Sequence, residues 1–137
     1  MSMPYYVIEK TVEALNNYKK SLNGSRIMVL GIAYKKDIDD DRESPGYAIM
    51  KMLLEKGAVV TYNDPWIPKL HATRKYDFQM SSTPITPEVL AEMDAVVIVT
   101  DHSDYDFAEI AKHSNLIIDT RNATKGIKGE ADKIFYA

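Results

Sequence analysis

Ala95-Val-Val-Ile-Val-Thr100 decides the fold. The run carries no charge, is rich in β-branched residues, and shows no alternation of polar and apolar positions. An extended segment of that kind has both faces buried, which places it inside a sheet covered by helices on each side. Working outward, Arg26-Ile-Met-Val-Leu30 ends at Gly31 and reads as a second buried strand. Ala58–Tyr62, closed by Asn63-Asp64-Pro65, is a third, and Leu116–Asp119 another. Tyr76–Met80 is a weaker strand. Between them lie helices. Ser44 is the N-cap candidate and Pro45 the first helical residue of one, with Ala48, Ile49, Met52 and Leu53 as its apolar stripe and Gly57 as its stop. Thr86-Pro87-Glu88 opens another that runs to about Glu92, and Phe107–Lys112 makes a short third. Strands alternating with helices predict an α/β fold: a three-layer parallel sheet with helices on both faces.

A further helix precedes the sheet. Pro4 suits a first turn, and Ile8, Val12, Leu15 and Leu22 fall near one face with Val7, Thr11, Ala14 and Tyr18 beside them, up to a stop at Asn23-Gly24. Met1-Ser2 reads as a start or an appended remnant, and a helix that begins at once points to a piece of a longer protein. Residues 123–137 read as a tail that wraps the domain or leads to a flexible end.

Composition narrows the function classes. A chain of 137 residues with 45% hydrophobic content buries one core. The 17 Lys and Arg against 20 Asp and Glu leave a net charge of −3, which argues against nucleic acid as a partner. No apolar run is long enough for a membrane helix, and no basic-then-apolar leader is present, so a cytoplasmic protein is expected. There is no cysteine, hence no disulfide, thiolate metal site or cysteine nucleophile. His71, His102 and His113 lack metal-ligand spacing.

Open parallel sheets bind ligands beyond the carboxyl ends of their strands. The unusual residues collect there: Gly31-Ile-Ala-Tyr-Lys-Lys-Asp37 and the acidic stretch after it, Asp64-Pro65, Thr100-Asp-His-Ser-Asp104, and Asp119-Thr-Arg-Asn122. The first loop has one glycine, and its helix starts about 14 residues later, unlike the three-glycine dinucleotide loop that approaches a pyrophosphate with its backbone. A phosphate here would need side-chain cations. Lys35 and Lys36 are the candidates; residue type leaves Lys35 evenly between ligand and solvent, whereas Lys36 reads as solvated. Arg121, directly after the last strand, points toward the same crevice with a planar fork suited to phosphate or carboxylate, although a salt bridge to Asp119 or Asp101 would also use it. Arg42 fits a structural tie to a neighbouring carboxylate better than ligand contact. Asp39–Asp41 fit a solvated or arginine-paired loop better than a cation site. His102 can be a base, but helix capping by Ser103 or Asp104 explains its cluster equally well. No nucleophile, base and orienting group assemble, so no catalytic residue is assigned.

These residues carry a family resemblance. Gly31-Ile-Ala-Tyr-Lys-Lys-Asp with Asp40-Asp-Arg-Glu-Ser-Pro45, then Gly57-Ala, Tyr62-Asn-Asp-Pro65, Thr100-Asp-His-Ser and Asp119-Thr-Arg-Asn122, resemble in order the C-terminal domain of the UDP-glucose/GDP-mannose dehydrogenases. The match covers nearly the whole chain, and its Asp-Arg-Glu-Ser-Pro and Asp-Thr-Arg-Asn forms are most similar to the UDP-N-acetylhexosamine branch. The resemblance implies a Rossmann-like UDP-sugar-binding domain over residues 25–137, with residues 1–24 as the end of the family's central linker helix. It implies an enzyme that oxidises the sugar C6 alcohol to a carboxylate with two NAD. The NAD is held by an N-terminal domain, a cysteine nucleophile lies outside this sequence, and the parent is a homodimer or higher. By resemblance, Lys35 and Arg121 contact the nucleotide-sugar, Tyr34 lines the site, and Asp40 with Arg42 shapes the loop. With no cysteine and no NAD loop, the fragment alone is expected to be inactive. Two other classes compete: a stand-alone phosphate- or nucleotide-binding regulatory module with a flavodoxin-like sheet, and a ligand-free oligomerisation piece.

Overall fold

A computed structural model describes residues 3–41, 44–70, 76 and 78–137. In chain order these form α1 (Met3–Asn17), β1 (Arg26–Leu30), α2 (Pro45–Glu55), β2 (Val59–Asn63), α3 (Pro87–Glu92), β3 (Ala95–Ile98), α4 (Phe107–His113), β4 (Ile117–Asp119), a 3₁₀ turn (Ala131–Lys133) and β5 (Ile134–Tyr136). The five strands form one parallel sheet in the order β2-β1-β3-β4-β5.

The uninterrupted apolar strands do what their sequence requires. In β1, Ile27 and Val29 join one core cluster and Met28 and Leu30 the other; in β3, Ala95 and Val97 face the first and Val96 and Ile98 the second. The first cluster is roofed by α1 and α2, through Val7, Leu15, Ile49 and Leu53. The second is roofed by α3 and α4, through Leu90 and Ile110. That is the expected three-layer arrangement. Truncating a fully buried leucine such as Leu15 or Leu53 would cost about 2–5 kcal/mol.

The helix starts match their sequence signals. The Ser44 hydroxyl accepts from the Gly46 N–H with Pro45 at the first position, and Thr86 accepts from Val89 N–H ahead of Pro87. Three elements differ from expectation. First, α1 stops at Asn17, not at Asn23-Gly24. Lys19 adopts φ 62, and Lys20 N–H donates to Leu15 C=O while Lys19 N–H donates to Asn16 C=O. This is a left-handed helix stop built on lysine where glycine is usual. Tyr18, beyond the stop, is exposed, Leu22 is buried from the loop, and Val12 within the helix lies on its exposed side.

Second, no strand forms among the described residues of Tyr76–Met80; only an isolated antiparallel bridge, Lys69 with Ser81, lies nearby. Rings hold the segment instead: Tyr47, Tyr76 and Phe78 stack with centroids 5.6–5.9 Å apart. Third, the tail supplies β5, paired with β4. Lys133 Nζ anchors its start by donating to the carbonyls of Ala111 (2.8 Å) and Ser114 (3.0 Å) at the end of α4. Among the described residues no helix is long and apolar enough to cross a membrane.

Candidate functional site

From β1 the chain runs out to β2 and then returns to β3 on β1's other side, so connections leave β1 and β3 in opposite directions and open a crevice at their carboxyl ends. The two loops are locked together there. Gly31 has φ +90, and a Cβ on it would sit 2.3 Å from the Thr100 Cβ, so only glycine fits. The Thr100 hydroxyl donates to the Ala33 carbonyl at 2.7 Å.

Asp64, just past β2 and 1% exposed, organises the loop that follows β1. Its Oδ2 accepts the N–H of Ile32 (2.7 Å) and Ala33 (2.9 Å), and its Oδ1 the N–H of Trp66 (2.7 Å). His102 Nε2 lies 2.8 Å from the same Oδ2. Burial alone would raise the carboxyl's pKa, but the hydrogen bonds from His102, Ala33, Ile32 and Trp66 outweigh it and hold Asp64 below the usual carboxylate value.

His102 is fully buried, and its Nδ1 accepts the Asp37 N–H at 2.7 Å. A main-chain N–H can only donate, so that geometry assigns Nδ1 its lone pair and puts the proton on Nε2, facing Asp64. Asp37 takes φ 62, and its carboxylate accepts the Ser103 hydroxyl (2.5 Å) and N–H (2.8 Å). Those two bonds lower its pKa. Trp66 and Tyr105 flank the imidazole, with ring centroids 6.5 and 5.7 Å away. Burial, with Asp64 nearby, pushes the Tyr105 phenol up, and its hydroxyl donates to the Asn63 carbonyl.

The candidate ligand residues stand on this frame. Tyr34, Lys35 and Lys36 are exposed, and Lys35 Nζ lies 5.8 Å from the Tyr34 ring centroid. Tyr34 N–H closes the loop on the Asp40 main-chain carbonyl at 2.6 Å. Arg42 and His71 lie outside the described residues. Arg121 is exposed beyond β4; its Nε donates to the Val99 carbonyl at 2.8 Å, and no ion pair joins it to Asp119 or Asp101 among the described residues. Asp119 is instead taken by its own turn, accepting from the N–H groups of Arg121, Ala123 and Thr124 and from the Thr124 hydroxyl. Lys35 and Arg121 therefore sit beyond the same end of the sheet, after strands that flank β3. A cleft of about 390 Å³ opens beside Asp39, Trp66 and Lys69, and one of about 330 Å³ between α3 and α4; neither is lined by Lys35 or Arg121. Among the described residues no cluster of three or more His, Asp or Glu side chains is placed to hold a metal ion.

The helix-capping account of His102 is corrected. Asp106 caps α4 by accepting from Glu109 N–H, while Ser103 turns back to Asp37. Asp64 and Asp37 are the organising residues that sequence reasoning does not single out; the available signal is that Asp64 directly follows a strand, β2, at the end of the sheet where Lys35 and Arg121 also lie.

The comparisons with known proteins bear on this arrangement. Residues 28–126 match the model of the UDP-glucose/GDP-mannose dehydrogenase family, UDP binding domain. A UDP-N-acetyl-D-mannosamine dehydrogenase of Methanococcus maripaludis is 32% identical over 129 residues, covering 88% of this chain and 28% of that protein. A UDP-glucose 6-dehydrogenase of Rhizobium meliloti is 31% identical over 136 residues, covering 87% and 31%. Among solved structures, an NDP-N-acetyl-D-galactosaminuronic acid dehydrogenase from Methanosarcina mazei Go1 superposes with TM-score 0.77 at 27% identity, over 98% of this chain and 28% of that one. The chain thus spans under a third of the length of these relatives. Motif order, sheet topology and matched span agree: the chain belongs to the UDP-glucose/GDP-mannose dehydrogenase family, of which it is the UDP binding domain.

Proposed function

We propose that this domain holds the UDP part of a nucleotide-sugar as one side of the cleft of an NAD-dependent 6-dehydrogenase. Lys35 and Arg121 contact the diphosphate or adjoining sugar, and Tyr34 lines the site. The observation that carries the reading is the pair of exposed cations beyond one end of the sheet, neither ion-paired among the described residues. Arg121 is the better prepared of the two. Its Nε is fixed on Val99, so the planar fork is oriented before any anion arrives. Lys35 acts as a point charge beside the Tyr34 ring. Cations that stand exposed beyond the strand ends suit one wall of a cleft whose second wall is another domain.

The rest of the enzyme lies beyond these residues. The sequence has no cysteine for covalent catalysis and no three-glycine loop for NAD, so the domain binds and orients while another part of the parent chain binds NAD and carries out the oxidation. The parent would be a cytoplasmic homodimer or higher oligomer, with residues 1–24 ending its central helix. That the relatives are dehydrogenases does not favour the stand-alone regulatory module.

Calorimetric titration with UDP, UDP-N-acetylglucosamine and NAD tests the reading. Binding of the UDP compounds without NAD is expected. Each of Lys35→Ala and Arg121→Ala should weaken it by roughly tenfold or more, the scale of one charge-assisted hydrogen bond, while Lys36→Ala should matter less. Binding of NAD alone would overturn it.

A further inference from the structure

Asp64 and His102 together grip the chain on both sides of Lys35. Asp64 takes the N–H groups of Ile32 and Ala33 directly, and His102 carries the same carboxylate's hold onward to the N–H of Asp37. Lys35 stands in the middle of that bracket, exposed like its neighbours Tyr34 and Lys36. The far side of the bracket is demanding. Asp37 sits at φ 62, a conformation that L-residues rarely adopt, and it keeps it while its N–H donates to a buried imidazole and its carboxylate accepts from the Ser103 N–H and hydroxyl. A solvent-exposed loop lacking that acceptor would sample other conformations, and only the fraction with Lys35 in place would bind an anion.

We propose that His102, oriented by Asp64, is a positioning residue for Lys35: its Nδ1 lone pair fixes the Asp37 end of the loop and so sets where the lysine ammonium stands. The proposal rests on the reading of Lys35 as an anion ligand, but its structural half can be tested without any ligand.

Two substitutions separate positioning from general stability. In His102→Asn the side-chain oxygen comes near the place of Nδ1, so the acceptor for Asp37 is kept and the donor to Asp64 is lost. In His102→Gln the amide nitrogen comes near the place of Nε2, so the donor to Asp64 is kept and the acceptor for Asp37 is lost. Both should lower thermal stability. Only His102→Gln should speed hydrogen exchange at the Asp37 amide and weaken UDP binding, by about tenfold; His102→Asn should stay within about threefold of the parent. Equal UDP affinity and equal Asp37 exchange in both variants would overturn the proposal. So would a proton on Nδ1 in the unsubstituted protein, read from long-range imidazole ¹H–¹⁵N couplings, and that measurement stands even if neither variant folds. If the unsubstituted protein fails to bind UDP, the nucleotide reading falls, while the Asp37 exchange data still decide whether His102 sets the loop.

Discussion

Two aspartates at opposite ends of the sheet show how differently the molecule treats a carboxylate. Asp94, just before β3 at the amino end, accepts from Lys20 Nζ (2.7 Å) and Arg26 N–H (2.8 Å), and both side chains of its ion pair are partly exposed. Asp64 at the carboxyl end is dry and accepts from three main-chain N–H groups and a buried imidazole. Burial raises the pKa of each and hydrogen bonds bring both below the ordinary value, yet the partners differ in kind. A solvated lysine can leave without penalty; the Ile32 and Ala33 amides on Asp64 are buried and have no water to turn to. Buried polar groups are costly unless fully matched, so their concentration at one end marks that end as the one whose shape is maintained.

The contrast can be broken in order of expected effect. Asp64→Ala should be the most damaging substitution, at about 3–5 kcal/mol of unfolding free energy in urea titrations, because it orphans several buried donors at once. Its effect has a sign in pH. A carboxyl whose folded pKa is below its unfolded 3.8 contributes stability above that value and loses it as pH falls through the lower folded one. The gap between the parent and Asp64→Ala should therefore close in acid, and a gap that widened instead would remove the charge from the explanation. Gly31→Ala should follow, at roughly 2–4 kcal/mol, since a Cβ must adopt φ +90 and displace Thr100. Asp94→Asn should cost under about 1 kcal/mol and be the most sensitive to added salt. If Asp94 and Asp64 cost the same, the two ends are not built differently.

How much of this was legible beforehand follows from what each feature depends on. The buried strands, the caps at Ser44 and Thr86, and the crevice at the strand ends rest on local pattern, and they were read correctly. The stop of α1 was not, because Lys19 takes a backbone conformation that the sequence signals with glycine. The segment around Tyr76 is strand-like in composition but is stacked on Tyr47 and gets no ladder. The last strand exists because β4 offers it an edge, a fact outside its own three residues. The Asp64–His102 pair joins residues 38 apart, and no local pattern announces such a contact. Both residues were visible as strand-end polar groups; their partnership was not.

UDP binding at the carboxyl end of the sheet is tested most directly by following every backbone amide by ¹H–¹⁵N correlation while UDP is added. Shifts concentrated at Tyr34, Lys35, Asp37, Arg121 and Asn122 are expected, with Arg26 and Asp94 at the opposite end unmoved. Shifts confined to the amino end or to the cleft between α3 and α4, or no shifts at all with UDP, would contradict it.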